Sequence, residues 1–259
     1  LRRGLVDLVS MLADIPGEHD LAMTTNGSAL ARYAKKLKAA GLQRVTISMD
    51  ALNPEIFVRM NGTGASPERV IEGVDAALEH GLKVKINSVI QKGVNEDEIV
   101  KLARFGRERG VTMRFIEYMD TGNTNGWKLG EVVPYTEMVE AIGQHFPLEA
   151  IAPNYIGETA KRFGYQDLSD QEVGFISSVS KPFCGDCNRA RLSSDGQLFT
   201  CLFASHGHDL KKLLRDGGTD GQITEVIRSV WAARDDRYSE LRSQIDGAQP
   251  KPEMSYLGG

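Results

Sequence analysis

The chain has 259 residues, 41 % of them hydrophobic and 25 % charged, with a formal net charge of −4. That is enough for one large domain or two smaller ones with a full core, and the balance excludes a general electrostatic pull toward nucleic acid or acidic membrane. No apolar run is long enough to span a bilayer and no signal-peptide pattern opens the sequence, so the expected compartment is the cytoplasm, where thiols stay reduced.

In chain order, LRRGLVDLVSMLADI comes first, with Leu5, Leu8, Val9 and Leu12 on one stripe of a predicted helix and no strand before it. From residue 20 to about 120, short strands then alternate with helices. LAMTTN, RVTISMD, LKVKINSVI and TMRFIEYM read as strands. Between them SALARYAKKLKAAG is a helix stopped by Gly41, and SPERVIEGVDAALEHG is one with Ser66 as N-cap and Pro67 at its first position. NEDEIVKLARFGRERG is a third, capped by Asn95. This alternation predicts βαβ units and a parallel sheet, with four units visible where a closed barrel needs about eight. TEMVEAIGQHF is one more helix. VGFISSV and RARLSSDGQLFTCLF follow as an expected antiparallel hairpin region turning at Asp195-Gly196, and HDLKKLLRDG and ITEVIRSVWAARDDRYSELRS as closing helices. The change of rhythm puts a division at 146/147.

The strands carry polar residues where a parallel sheet is usually apolar. Lys85 and Asn87 share one face, as do Thr46 and Ser48; Arg114 sits mid-strand, and Thr24, Thr25 and Asn26 end the first strand. Since the carboxyl ends of strands face the site in βα folds, one reading is a cationic cavity for an anionic ligand. The other is that Lys85 and Arg114 reach into water or pair with Glu117 or Asp50.

All three cysteines fall in FCGDCNRARLSSDGQLFTC, as Cys184, Cys187 and Cys201. A structural zinc site closes on four ligands, which His206 or His208 could complete, each also readable as a surface loop residue; an iron–sulfur cluster held by three thiolates keeps one metal position open. Arg189 and Arg191, two apart beside Cys187, project from one face if that stretch is a strand, and their guanidinium forks suit phosphate oxygens. Pairing with Asp186 or Asp195 is the plainer alternative.

At these residues the chain resembles the GTP 3′,8-cyclase family, radical S-adenosylmethionine enzymes that begin molybdenum cofactor biosynthesis. The likeness rests on MTTNG at 23–27, TISMDAL at 46–52, KVKINSVIQKGVN at 83–95, MRFIEYMDTGNTNGW at 113–127, FCGDCNRARLSSDGQLFTCLF at 183–203 and the closing MSYLGG. It implies an α/β fold: an incomplete, TIM-like parallel βα barrel of the radical S-adenosylmethionine type over 1–146, and a C-terminal [4Fe–4S] domain with a Gly-Gly tail over 147–259. Cys184, Cys187 and Cys201 match the cluster ligands, with the open iron taking the guanine of GTP. Arg189 and Arg191 match triphosphate contacts, and Thr24, Lys85, Ala190 and, within a matching motif, Arg114 match further GTP contacts. Ser48 and Met119 match contacts to S-adenosylmethionine. No catalytic residue is singled out.

The resemblance also implies a first [4Fe–4S] cluster on a Cys-x-x-x-Cys-x-x-Cys motif followed by Gly-Gly-Glu-Pro. Neither pattern occurs in this sequence. Two of six βα units are expected to be missing, and the chain alone is expected to be inactive. In the complete enzyme the implied radical takes the 3′ hydrogen of the GTP ribose, and the carbon radical attacks C8 of guanine. The product is 3′,8-cyclo-7,8-dihydro-GTP, which passes to cyclic pyranopterin monophosphate synthase. A homodimer is allowed, and no nucleic-acid or membrane partner is expected. By composition the tail after Pro250 and Pro252 is a disordered terminus, whereas the resemblance implies that Gly258 and Gly259 enter the active site and aid turnover. The rival reading is a structural, non-catalytic zinc module on the three cysteines and His206.

Overall fold

Period-two alternation of large apolar residues with polar ones builds the main sheet. The computed structural model describes residues 3–17, 20–62, 65–168, 170–244, 251–254 and 256–257. The chain divides into two compact units.

The first unit comprises Leu1–Tyr118, Gly130–Pro153 and Ala160–Ser177. Its strands are β1 (Ala22–Thr25), β2 (Arg44–Ser48), β3 (Lys83–Ile90), β4 (Thr112–Glu117), β5 (Leu148–Ile151), β6 (Lys161–Tyr165) and β7 (Glu172–Ile176). They form one sheet in the order β1-β2-β3-β4-β7-β6-β5. The first four run parallel, as expected from the strand–helix rhythm, and β7 joins them in parallel with β4. Strands β6 and β5 extend the sheet antiparallel. The stretch 148–176 therefore belongs with this sheet, past the expected division at 146/147. VGFISSV is likewise not a hairpin partner of the cysteine stretch. Its phenylalanine, Phe175, stacks on Phe115 of β4 at 5.9 Å and meets Phe163 of β6 edge-on at 5.4 Å.

The helices of this unit are α1 (Leu5–Ala13), α2 (Leu30–Ala39), α3 (Pro54–Asn61), α4 (Pro67–Glu79), α5 (Ile99–Arg109) and α6 (Tyr135–Gly143). Helix α3 went unread in the sequence although its start is marked: Asn53 Oδ1 accepts from the amides of Glu55 at 2.9 Å and Ile56 at 3.1 Å, with Pro54 following. One face of the sheet presents Val45, Ile47, Val84, Ile86, Met113, Phe115, Val173 and Phe175, all buried, to these helices. Gly27 and Gly106 show how closely the layers approach. A Cβ on Gly27 would stand 2.9 Å from Val70 of α4 and 3.0 Å from Ile47 of β2, and one on Gly106 would stand 2.5 Å from Met113 of β4.

The second unit comprises Met119–Leu129, Asn154–Thr159 and Ser178–Gly259. Its small sheet has the order β10-β9-β8, with β8 (Arg191–Leu192), β9 (Gln197–Phe199) and β10 (His208–Asp209) antiparallel. The predicted Asp195-Gly196 turn is present, with Gly196 at φ 87° and its amide on the Ser193 carbonyl at 3.0 Å. Helices α7 (Leu210–Arg215), α8 (Asp220–Ala232) and α9 (Tyr238–Leu241) follow, α8 opening on a reciprocal cap between Thr219 and Gln222.

Candidate functional site

The face of the main sheet opposite the helices is polar, and its rows can be read from strand register. Thr24, Thr46, Lys85 and Thr112 stand side by side across β1 to β4. The next row holds Ser48, Asn87, Arg114 and Gly174 across β2, β3, β4 and β7. Residues in register share a face, so Thr24 and Lys85 are gathered in one row, and Ser48 and Arg114 in the next. Glu117, three residues along from Arg114, points to the helix side, where its carboxylate accepts from the Tyr135 amide at 2.8 Å.

Two residues in this row were not singled out as site candidates. Asn87 has its side-chain oxygen buried with no hydrogen-bond partner among the described residues, and it is flanked by Lys85 on its own strand and Arg114 on the next. Gly174 makes room for Arg114: a Cβ there would stand 3.3 Å from the Arg114 Cγ and 3.2 Å from the Ala160 Cβ. The missing side chain is a readable signal, since a glycine inside a strand marks close approach.

The carboxyl ends of β2 and β3 are pinned by polar groups. Asp50 Oδ1 accepts from the Val89 amide at 2.7 Å. Burial pushes its carboxyl up to about 6, against the lowering effect of that hydrogen bond. Asn95 was expected to cap a helix. Its side chain instead makes no cap bond; its amide donates to the carbonyls of Asp50 at 2.8 Å and Val89 at 2.9 Å, and its oxygen accepts from Gln91. The preference of Asn for local backbone bonds was legible, but the long-range partners were not.

In the second unit the cysteines sit on a turn and a strand end. Cys187 donates its amide to the Cys184 carbonyl at 3.2 Å, closing the Cys-x-x-Cys turn, and Cys201 follows β9 by two residues. All three are free and half-buried. The Arg189 guanidinium donates to the Cys187 sulfur at 2.9 Å, and the Phe203 amide to the Cys201 sulfur at 3.4 Å. Burial pushes the Cys201 thiol up; the Phe203 amide opposes this, and Asp236, Cys184 and Cys187 add to it. Arg191 is pulled down, first by burial and then by Arg189 beside it, while Cys201 and Cys187 oppose the shift. The two arginines are therefore close, but not through strand alternation. Arg189 lies ahead of β8, with Phe183 under its guanidinium at 5.2 Å. Its Nε is buried with no hydrogen-bond partner among the described residues. Ala190 between them is exposed.

Met119 lies in this unit and accepts at its carbonyl from Asn125 Nδ2 at 2.9 Å. His206 is exposed, its Nδ1 engaged with Ser205 Oγ at 2.8 Å. Gly258 and Gly259 lie outside the described residues. Sequence reading missed Arg234, which bonds to both cysteine-bearing segments, and the tail residues Lys251 and Tyr256. Little in the local sequence marks them, because their partners Thr200, Cys187, Asp120 and Asp195 are 34 to 131 residues away.

By donor type the three thiols suit a soft metal or an iron–sulfur cluster, with N–H donors already directed at two of the sulfurs. Among the described residues, no group of three or more His, Cys, Asp or Glu side chains is drawn together as ligands of one ion.

Residues 1–106 match the Radical SAM superfamily, and residues 111–240 match the family described as Molybdenum Cofactor Synthesis C. A GTP 3′,8-cyclase of Acidothermus cellulolyticus is 46 % identical over all of this chain and 78 % of its own length. The chain belongs to the GTP 3′,8-cyclase family. Another member, from Xanthomonas axonopodis pv. citri, is 48 % identical over the whole chain and 77 % of its own length. The fold is shared more widely. Streptococcus suis SuiB bound to S-adenosylmethionine aligns at a TM-score of 0.55 and 13 % identity, over 85 % of this chain and 52 % of SuiB. Among the described residues, no helix is long and apolar enough to cross a membrane.

Proposed function

We propose that this chain binds GTP and positions it for cyclisation to 3′,8-cyclo-7,8-dihydro-GTP, the lyase reaction that opens molybdenum cofactor synthesis. The observation that carries the reading is the pairing of thiol and guanidinium in one short segment, Arg189 on the Cys187 sulfur at 2.9 Å with Arg191 two residues on. A soft-metal ligand set and a phosphate clamp side by side in the chain suit a molecule with a donor atom at one end and phosphates at the other.

Cys184, Cys187 and Cys201 would hold a [4Fe–4S] cluster, which when bound supplies an open iron for the guanine. Membership of the GTP 3′,8-cyclase family supports a cluster over a zinc site with His206. In the second unit Arg189 and Arg191 are the proposed triphosphate contacts, with Ala190 a further GTP contact. In the first, Lys85 offers an ammonium charge, Arg114 a guanidinium and Thr24 a hydroxyl. Ser48 and Met119 are the proposed contacts to S-adenosylmethionine. The protein's part is to fix the ribose against the radical source, so its contribution is geometric. We read the two units as a radical S-adenosylmethionine βα barrel and a cluster domain. With its three cysteines assigned, the sequence has none for the radical-generating cluster. The chain alone is therefore expected to release no 5′-deoxyadenosine, and its product would pass to cyclic pyranopterin monophosphate synthase.

The test is anaerobic reconstitution with iron and sulfide, followed by electron paramagnetic resonance of the reduced protein with and without GTP. A brown protein whose spectrum changes with GTP supports the reading. Tight zinc in a colourless protein, or a spectrum indifferent to nucleotide, overturns it.

A further inference from the structure

Composition makes the C-terminal segment a loose end, yet residues 251–254 and 256–257 are fastened at two places in the second unit. The first is at Lys251. Its side chain is only 9 % exposed, with Nζ 2.8 Å from Asp120 Oδ2, 3.0 Å from the Asp120 carbonyl and 2.5 Å from the Tyr238 hydroxyl. That ammonium also lies 4.3 Å from the Tyr238 ring and 5.3 Å from the Phe203 ring, and those two rings stack at 4.5 Å. Reciprocal bonds between Asn123 and the Lys251 backbone, and from the Asn123 amide to Glu253, fix the chain direction. The second fastening is at Tyr256. Its hydroxyl donates to Asp195 at 2.7 Å and its ring meets Phe199 edge-on at 6.1 Å, while Leu257 beside it is buried.

The two fastenings bracket one residue. Phe199 and Phe203 are both buried, and Cys201 lies midway between them. Each phenylalanine is covered by a tail side chain, and the Phe203 amide donates to the Cys201 sulfur. We propose that the tail is a strap that holds the Cys201 segment in place, with Lys251 and Tyr256 as its positioning residues. That this steadies a metal ligand rests on the function proposed above; the bracing of the segment does not.

The readout is the alkylation rate of each cysteine in the reduced, metal-free chain under anaerobic conditions, resolved by mass spectrometry. In the double variant Lys251→Met and Tyr256→Ala, Cys201 is expected to react about tenfold faster, because its segment opens locally more often, while Cys184 stays within about twofold. Tyr256→Phe, which keeps the ring on Phe199, should stay near the parent rate. A Cys201 rate unchanged in the double variant overturns the proposal, and so does an equal rise at all three cysteines, which would mean general loosening. Reconstituting the same samples with iron and sulfide reports separately on the cluster, so a failed cluster and a failed strap give different results.

Discussion

Arg234 donates through Nη1 to the carbonyl of Cys187 at 2.8 Å, joining the end of α8 to the Cys-x-x-Cys turn. Its Nε reaches the Thr200 carbonyl at 3.3 Å, next to Cys201. One guanidinium thus staples the two segments that carry the thiols, and it is 13 % exposed and paired with Asp236. Hydrogen bonds from a charged donor contribute about 1.5–3 kcal/mol each, and breaking them here also strands Asp236. Arg234→Met is expected to lower stability by about 2–3 kcal/mol in urea unfolding and to reduce the iron retained after reconstitution. A variant with parental iron content would show that the turn and the strand end hold their spacing unaided.

Asp50 predicts a pH effect of unusual sign. Its folded value, pushed up to about 6 mainly by burial, lies above the ordinary carboxyl value of 3.8. Between those limits the folded chain binds more protons than the unfolded one, so this group's contribution to stability falls as pH rises from about 4 to 6. The cost of ionised Asp50 at neutral pH is at most about 3 kcal/mol, reduced by its residual exposure. Asp50→Asn keeps an acceptor for the Val89 amide and removes the charge. It should melt higher than the parent at pH 7.5, and the gap should close toward pH 5. A gap independent of pH would mean that the carboxyl titrates normally.

The two predictions differ in how far the sequence revealed their sites. The parallel strands were legible because βα spacing and glycine stops are local, and period-two alternation placed Lys85 with Asn87 on one face without coordinates. The cysteine turn and the Asp195-Gly196 hairpin were legible for the same reason. What escaped was long-range pairing. VGFISSV reads as any short apolar strand, and only the space beside β4, with Phe115 waiting for Phe175, decides its partner. Arg234 and Lys251 look like surface charges in a polar stretch. Their burial depends on carbonyls, rings and a carboxylate that the chain supplies far away in sequence.

Gly174 gives a prediction for the polar face. The added Cβ of Gly174→Ala would meet Arg114 Cγ at 3.3 Å, a contact a flexible side chain relieves by shifting a few tenths of an ångström. The lost freedom of the unfolded chain offsets part of the crowding, so stability should change by less than about 1 kcal/mol. If Arg114 holds a phosphate from its present position, GTP affinity should fall several-fold while GMP affinity, lacking the outer phosphates, changes little. Titration calorimetry of the reconstituted chain with both nucleotides separates these outcomes, and equal affinities in parent and variant would release Arg114 from that role.

Glu98 tests the support beneath that face. Its side chain is fully buried, accepting from the amides of Leu52 at 2.7 Å and Asn53 at 2.9 Å and from Lys101 at 2.6 Å. It therefore ties the loop after β2 to the start of α5. Burial alone would raise its carboxyl, but the bonds from Lys101, Asn53 and Leu52 win and hold it below the ordinary value. A depressed carboxyl contributes stability above its unfolded value near 4.5 and loses it as pH falls through the lower folded value. Glu98→Ala strands two part-buried amides and the Lys101 ammonium and should cost about 2–3 kcal/mol in urea unfolding at pH 7. Glu98→Gln, which keeps an acceptor oxygen, should cost less, and its deficit should shrink in acid as the parent loses its charge. A Gln variant as damaged as the Ala variant at every pH would place the contribution in packing rather than in the carboxylate.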